Sequence, residues 1–161
     1  VLPWSFADAA TTYRNYVAEI DSLATRSLGG GQLDLSAVRA AVDDLADAGR
    51  AFDTALQRAV GLGSRVLRDK RQALEVINRD IYQSERDLGA DAGLPRRAWY
   101  KHTVYAPGYY TGYGVKTMPG IREAVEQKNL DEARAQGAIV AAAIRRSAER
   151  ARRIAQQLEV L

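Results

Sequence analysis

His102 is the one imidazole in this 161-residue sequence, and there is no cysteine. A zinc centre needs three or four nitrogen, sulfur or carboxylate ligands at fixed distances. No His-x-x-x-His, Glu-x-x-His or cysteine pairing accompanies His102, so no metal site is expected within the chain, and the histidine reads as a hydrogen-bonded loop residue. Nucleophilic catalysis fails on the same ground, because no Gly-x-Ser-x-Gly elbow stands ready for the histidine to serve. The carboxylate pairs Asp43/Asp44 and Glu85/Asp87 fall on predicted helices at spacings that diverge around the axis, which makes them solvent-facing charges. No catalytic residue is therefore expected here. The missing cysteines exclude disulfides and thiolate ligands but leave the compartment open.

The unusual side chains are concentrated between Leu94 and Ile121. That stretch holds three of the four prolines, one of the two tryptophans, the histidine and five of the eight tyrosines. An irregular segment of this length inside a domain is either functional or disordered. Its aromatic density argues against disorder, since disordered segments are poor in such residues. The expectation is a long irregular aromatic-rich loop over about residues 89–117, with Trp99, Tyr105, Tyr109 and Tyr110 serving mainly to pin it to the core.

The elements that must position this loop are helices. Ser5 is expected to cap the first through the backbone N–H near Asp8, with Phe6, Tyr13, Val17, Ile20 and Leu23 facing inward. Gly29-Gly30-Gly31 ends it as a plain connector, because no strand precedes it and no Lys-Ser/Thr follows, as a phosphate loop would require. Leu35, Val38, Val42, Leu45, Gly49, Phe52, Leu56 and Ala59 step by threes and fours along a second helix. Leu67, Leu74, Ile77, Ile81 and Leu88 mark a third, whose stripe is interrupted by the polar Lys70 and Ser84. Thr117 is expected to cap a short helix reaching Lys128, with Pro119 in its first turn. Asn129 and Glu132 resemble a capping box for the last helix. Its stripe runs through Leu130, Ala133, Gly137, Val140, Ile144, Ser147, Ala151, Ile154, Leu158 and Leu161. The expected fold is all-α: a bundle of four long helices plus one short helix. The small residues Ala133, Gly137, Ser147 and Ala151 would let another helix approach closely, and they motivate a two-fold dimer.

Net charge is +3, and nineteen of the 23 basic residues are arginine. The arginines alternate with acids at helical spacing and form no block, which disfavours a nucleic-acid footprint and suits a solvated helix face. No apolar run approaches the roughly 18–20 residues of a membrane span, and the N-terminus lacks a signal-peptide pattern. The chain opens on Val1 without a methionine, which suggests a fragment of a longer protein.

Leu94-Pro95, Trp99-Tyr100, His102, Val104-Tyr105-Ala106-Pro107, Tyr113 and Pro119-Gly120-Ile121 together resemble the C-terminal domain of the glutamate carboxypeptidase II and transferrin receptor family. Val1-Leu2-Pro3 followed by an aromatic, and Ile77-Asn78-Arg79-Asp80 to Glu85-Arg86 before Gly93, fit the same pattern. The resemblance covers residues 1–161 and implies a single helical dimerisation domain that follows a peptidase domain in a larger zinc enzyme. Two zinc ions, a bridging hydroxide and a glutamate base would perform the hydrolysis there, with all their ligands upstream of Val1. The implied partners are a second copy, the N-terminal peptidase domain and a peptide substrate, with no nucleic acid and no membrane segment in this chain. The family also suggests a secreted, periplasmic or extracellular-facing location. In its glutamate-preferring members a Lys-Tyr pair in this loop grips substrate carboxylates. Tyr113 matches that tyrosine, Gly112 stands in place of the lysine, and Lys116, three residues on, is the secondary candidate. A receptor-like or scaffolding dimerisation module without peptidase activity is the alternative, and a His, Asp, Glu, Asp, His set upstream would separate the two.

Overall fold

Ser5 opens the first helix by accepting a hydrogen bond from the Asp8 amide at 3.1 Å, so one of the helix's unpaired N–H groups is satisfied locally. This computed structural model describes residues 4–161; Val1, Leu2 and Pro3, the start of the family-like opening, lie outside the described residues. Helix α1 spans Phe6–Leu28, buries Phe6, Tyr13, Val17 and Ile20, and stops at Gly29, whose φ of 94° no longer continues a helix. Helix α2, Ser36–Gly61, buries its stripe from Val38 to Ala59, with Leu56 packed at the margin. The two helices meet where the Phe6 and Phe52 rings stand edge to face, 5.2 Å between centroids. Gly49 lies at the same crossing and lets the backbone of Ala7 approach without a side chain between.

The third expected helix is broken. Gly63, at φ 82°, separates α2 from α3 (Gly63–Asp69), and α4 (Arg71–Tyr82) follows after a bend at Lys70. The hydrogen bonds Lys70 N to Val66 O and Leu74 N to Lys70 O continue across that bend. Beyond Gln83 the chain tightens into a 3-10 turn, Ser84–Leu88. Both changes of course fall at or beside the polar interruptions of the stripe, Lys70 and Ser84. With no apolar side chain there to hold a straight rod against the bundle, the chain bends. Ile77 and Ile81 of α4 are buried, whereas α3 contributes no buried residue among those described.

Helix α6, Leu130–Glu159, is the longest element at 30 residues, and its principal packing is along α2. Ala133, Gly137, Ser147 and Ala151 are buried, and a Cβ placed on Gly137 would meet only Val38 of α2, at 4.0 Å. The small-residue stripe is thus consumed within the chain, and it is not the free face that a two-fold contact would use. Asn129 accepts from the Glu132 amide at 3.1 Å, but the Glu132 carboxylate turns to Arg96. Only half of a capping box forms. The short helix α5, Pro119–Glu126, has Pro119 in its first turn as expected, yet its cap is Met118 in the left-handed region. Thr117 belongs to a strand, and its hydroxyl accepts from Arg122 at 2.6 Å.

The protein is mostly α, and among the described residues six helices accompany one small two-stranded sheet. Tyr105–Pro107 (β1) and Val115–Thr117 (β2) pair antiparallel, with Ala106 opposite Lys116. The arginines also do more than coat helix faces. Arg150 is paired with Asp87 and Asp80, Arg152 with Asp44, Arg122 with Glu19 and Arg14 with Asp43, so the paired carboxylates expected to face solvent tie separate elements together. No described helix is long and apolar enough to cross a membrane.

Candidate functional site

The segment from Gly89 to Thr117 is a ladder of backbone bonds. Ala90 N donates to Lys101 O at 2.8 Å, Leu94 N to Tyr100 O at 2.9 Å and Thr103 N to Leu88 O at 2.9 Å. Gly93, at φ 71°, makes the turn that lets Ala98 close against it. The anchors are aliphatic: Leu94, Val104, Ala106 and Met118 are buried. Trp99 and Tyr110, expected to pin the loop, instead face solvent. The ladder already fixes the main chain, so their rings are not needed for anchorage.

Tyr105 and Tyr109 do pack. Tyr105 lies 4.0 Å from the His102 ring and donates to Glu85 Oε1 at 2.6 Å, and that bond, followed by burial, pushes its phenol up to about 12. His102 Nδ1 accepts from the amides of Val104 and Tyr105, so Nε2 carries the proton and donates to Glu85 at 3.2 Å. Burial lowers the imidazole below its ordinary value despite the favourable carboxylate. Protonation would aim Nδ1–H at two N–H donors. Because the folded pKa lies below the unfolded one, stability linked to His102 is present above about pH 6.5 and is lost as pH falls through the folded value. Arg86, Asp91 and Lys101 line the same recess. Urea unfolding between pH 7.5 and 5.5 should show this decline, and His102→Gln should flatten it.

Between the two strands, residues 108–114 form a closed loop: Gly108 N donates to Gly114 O at 2.8 Å and Gly112 N to Gly108 O at 3.1 Å. Tyr113 projects from its tip fully exposed. Gly112 has φ 62°, and a Cβ there would meet nothing within 4 Å. Lys116 is engaged: its ammonium donates to Glu126 Oε1 at 2.6 Å. Tyr113 and Lys116 thus belong to one hairpin, but only Tyr113 is free of protein contacts.

The residues that hold this hairpin were missed from the sequence. Arg97 and Glu123 form an ion pair at 2.9 Å, with side chains only 6% and 2% exposed. Glu123 Oε1 also accepts from the Tyr109 amide at 2.9 Å. The guanidinium carbons of Arg96 and Arg97 lie 5.9 and 5.8 Å from the Tyr109 ring centroid. The one sequence signal was Glu123 itself, an acid beside Ile121, Ala124 and Val125 on the inner side of α5. Among the described residues no group of three or more His, Cys, Asp or Glu side chains could hold a metal ion, so they do not fit a zinc centre.

These features define a helical module that presents a hydrogen-bonded, aromatic-tipped hairpin. The chain belongs to the transferrin receptor-like dimerisation domain family, whose model matches residues 33–152. It is similar to a probable glutamate carboxypeptidase of Arabidopsis thaliana, 29% identical over 118 residues that cover 71% of this chain and 16% of that protein. It is also similar to a probable glutamate carboxypeptidase of Arthroderma benhamiae, 40% identical over 78 residues, which cover 45% of this chain and 10% of the relative. The chain therefore spans a small part of the curated relatives it matches.

Proposed function

We propose that this chain is the C-terminal helical domain of a glutamate carboxypeptidase-like zinc peptidase, which joins two copies and lends the Gly108–Gly114 loop to the substrate pocket. The two zinc ions and the hydrolytic chemistry belong to a peptidase domain outside this sequence. The observation that carries the reading is Tyr113: a fully exposed phenol on a hairpin held at one foot through the Tyr109 amide and at the other through the Lys116 side chain. A side chain that packs on nothing in its own domain, on a loop closed by backbone hydrogen bonds, suits contact with something outside it. Its hydroxyl can donate to a carboxylate. Lys116 is the lesser contributor, since Glu126 already neutralises it.

In the full-length protein, with a dipeptide ending in glutamate as substrate, Tyr113→Phe should raise KM about tenfold, the equivalent of one phenol-to-carboxylate bond, with kcat little changed. Melting temperature should not move, because the ring has no partner in the fold. Unchanged KM would exclude Tyr113 from the pocket.

The face proposed for the second copy is the α3–α4 arm. Val66 and Val76 are exposed there, Val60 and Leu62 are exposed beside it at the end of α2, and Leu67 and Leu74 are only half-buried. A seven-residue helix is marginal without packing. A family described by its dimerisation makes a second copy the natural cover. A two-fold contact here should bury on the order of 800 Å² per partner. Leu62→Lys with Val66→Lys should convert a dimer to a monomer by light scattering at unchanged helicity. A dimer that survives both substitutions would move the interface elsewhere.

A further inference from the structure

We propose that the Arg97–Glu123 pair is a positioning clamp that sets the reach of Tyr113 by holding the Tyr109 amide; this rests on the pocket role given to Tyr113 above. A buried ion pair is a poor device for stability, because desolvating the two charges offsets most of their attraction unless every remaining donor and acceptor is satisfied. Here they are not. Arg97 Nε and Nη1 and Glu123 Oε2 are buried without protein partners. One oxygen, Glu123 Oε1, carries both bonds that do form, to Arg97 Nη2 and to Tyr109 N, each at 2.9 Å.

Those two bonds place the clamp at the base of the loop. Tyr109 follows Gly108, whose N–H and C=O close the loop onto Gly114 and Gly112. The Tyr109 ring is flanked by Arg96 and Arg97, so backbone and side chain are gripped together. Arg96 is itself fixed by two bonds to Glu132, at 3.0 and 2.7 Å. The other foot is Lys116, held by Glu126. Glu123 and Glu126 stand three residues apart on α5, so neighbouring positions of one helix govern both ends of the hairpin. Tyr113 has no contact of its own, and its position follows from these feet. Arg97 and Glu123 are buried away from any substrate; they are positioning residues and act through Tyr109.

The test compares two neutral pairs in the full-length protein. R97M/E123Q keeps an acceptor oxygen for Tyr109 N, and R97M/E123M removes it at similar volume. The methionine pair should exchange the Gly108, Gly112 and Gly114 amides at least tenfold faster than the glutamine pair. It should also raise KM for the glutamate-ending dipeptide several-fold at similar kcat, while the glutamine pair stays near the parent protein. Equal loop exchange in the two variants would overturn the clamp whatever the kinetics. Faster loop exchange with unchanged KM would support the clamp and remove the pocket role of Tyr113 instead. Should the methionine pair fail to fold, the parent protein still decides. The Tyr109 amide should exchange no faster than the α5 amides, because its release requires opening of the buried pair, and exchange a hundredfold faster would overturn the proposal.

Discussion

Gly49→Val should be the most damaging single substitution in the helical core, costing about 3 kcal/mol or more and lowering the melting temperature by roughly 10 °C. A Cβ on Gly49 would stand 2.5 Å from the backbone nitrogen of Ala7 and 2.9 Å from its Cα and from the carbonyl carbon of Phe6. Those are main-chain atoms of a helix, so no side chain can swing aside. Helices α1 and α2 would have to part at the level of Phe6 and Phe52, whose edge-to-face contact would open with them. Thermal denaturation followed by circular dichroism checks the size of the effect. Gly49→Ala should already show a large part of it, because the first added carbon makes the clash. A melting temperature within a few degrees of the parent for both variants would mean that the crossing is looser than described.

The second large effect is expected at Gly93→Ala, and its signature should be local as well as global. Gly93 occupies φ 71°, where a side chain is strained, and its added Cβ would lie well inside van der Waals contact of the Ala98 carbonyl. Strain and overlap together should cost about 3 kcal/mol. The turn made by Gly93 N to Ala90 O and Leu94 N to Tyr100 O would open, and with it the approach of Arg97 to Glu123. Amide exchange should therefore rise from Ala90 to Gly114 before it rises in α2 or α6. Uniform loss of protection along the whole chain would show that the loop and the bundle unfold as one unit.

The helices were legible because a burial stripe of period near 3.6 is a local property of the chain. α1, α2 and α6 appear where their apolar steps place them, and the Ser5 and Asn129 caps form because the acceptor and the amide are three residues apart. The broken third helix was half legible. Lys70 and Ser84 stood out as polar interruptions, but a polar residue on a stripe can mean a wet face or a bend, and only the packing of Ile77 and Ile81 selects the bend. Trp99 and Tyr110 were misread for a related reason: composition says that a loop has aromatics but not which backbone bonds have already done the anchoring.

The candidate site divides the same way. Tyr113 and Gly112 could be singled out from the sequence, since residue type and position were all that the resemblance used. Arg97 and Glu123 were not, because their pairing spans 26 residues and looks, in one dimension, like two more charges in an arginine-rich chain. The sequence by itself determined the all-α class, the long inner faces and the irregular aromatic segment, because each follows from residues within a few steps of one another. The tertiary structure alone decided that the small-residue stripe of α6 is consumed within the chain, that the arginines join separate elements, and that a buried ion pair holds the loop. Those outcomes depend on which faces meet across the bundle, and burial, unlike periodicity, is set by the whole chain at once.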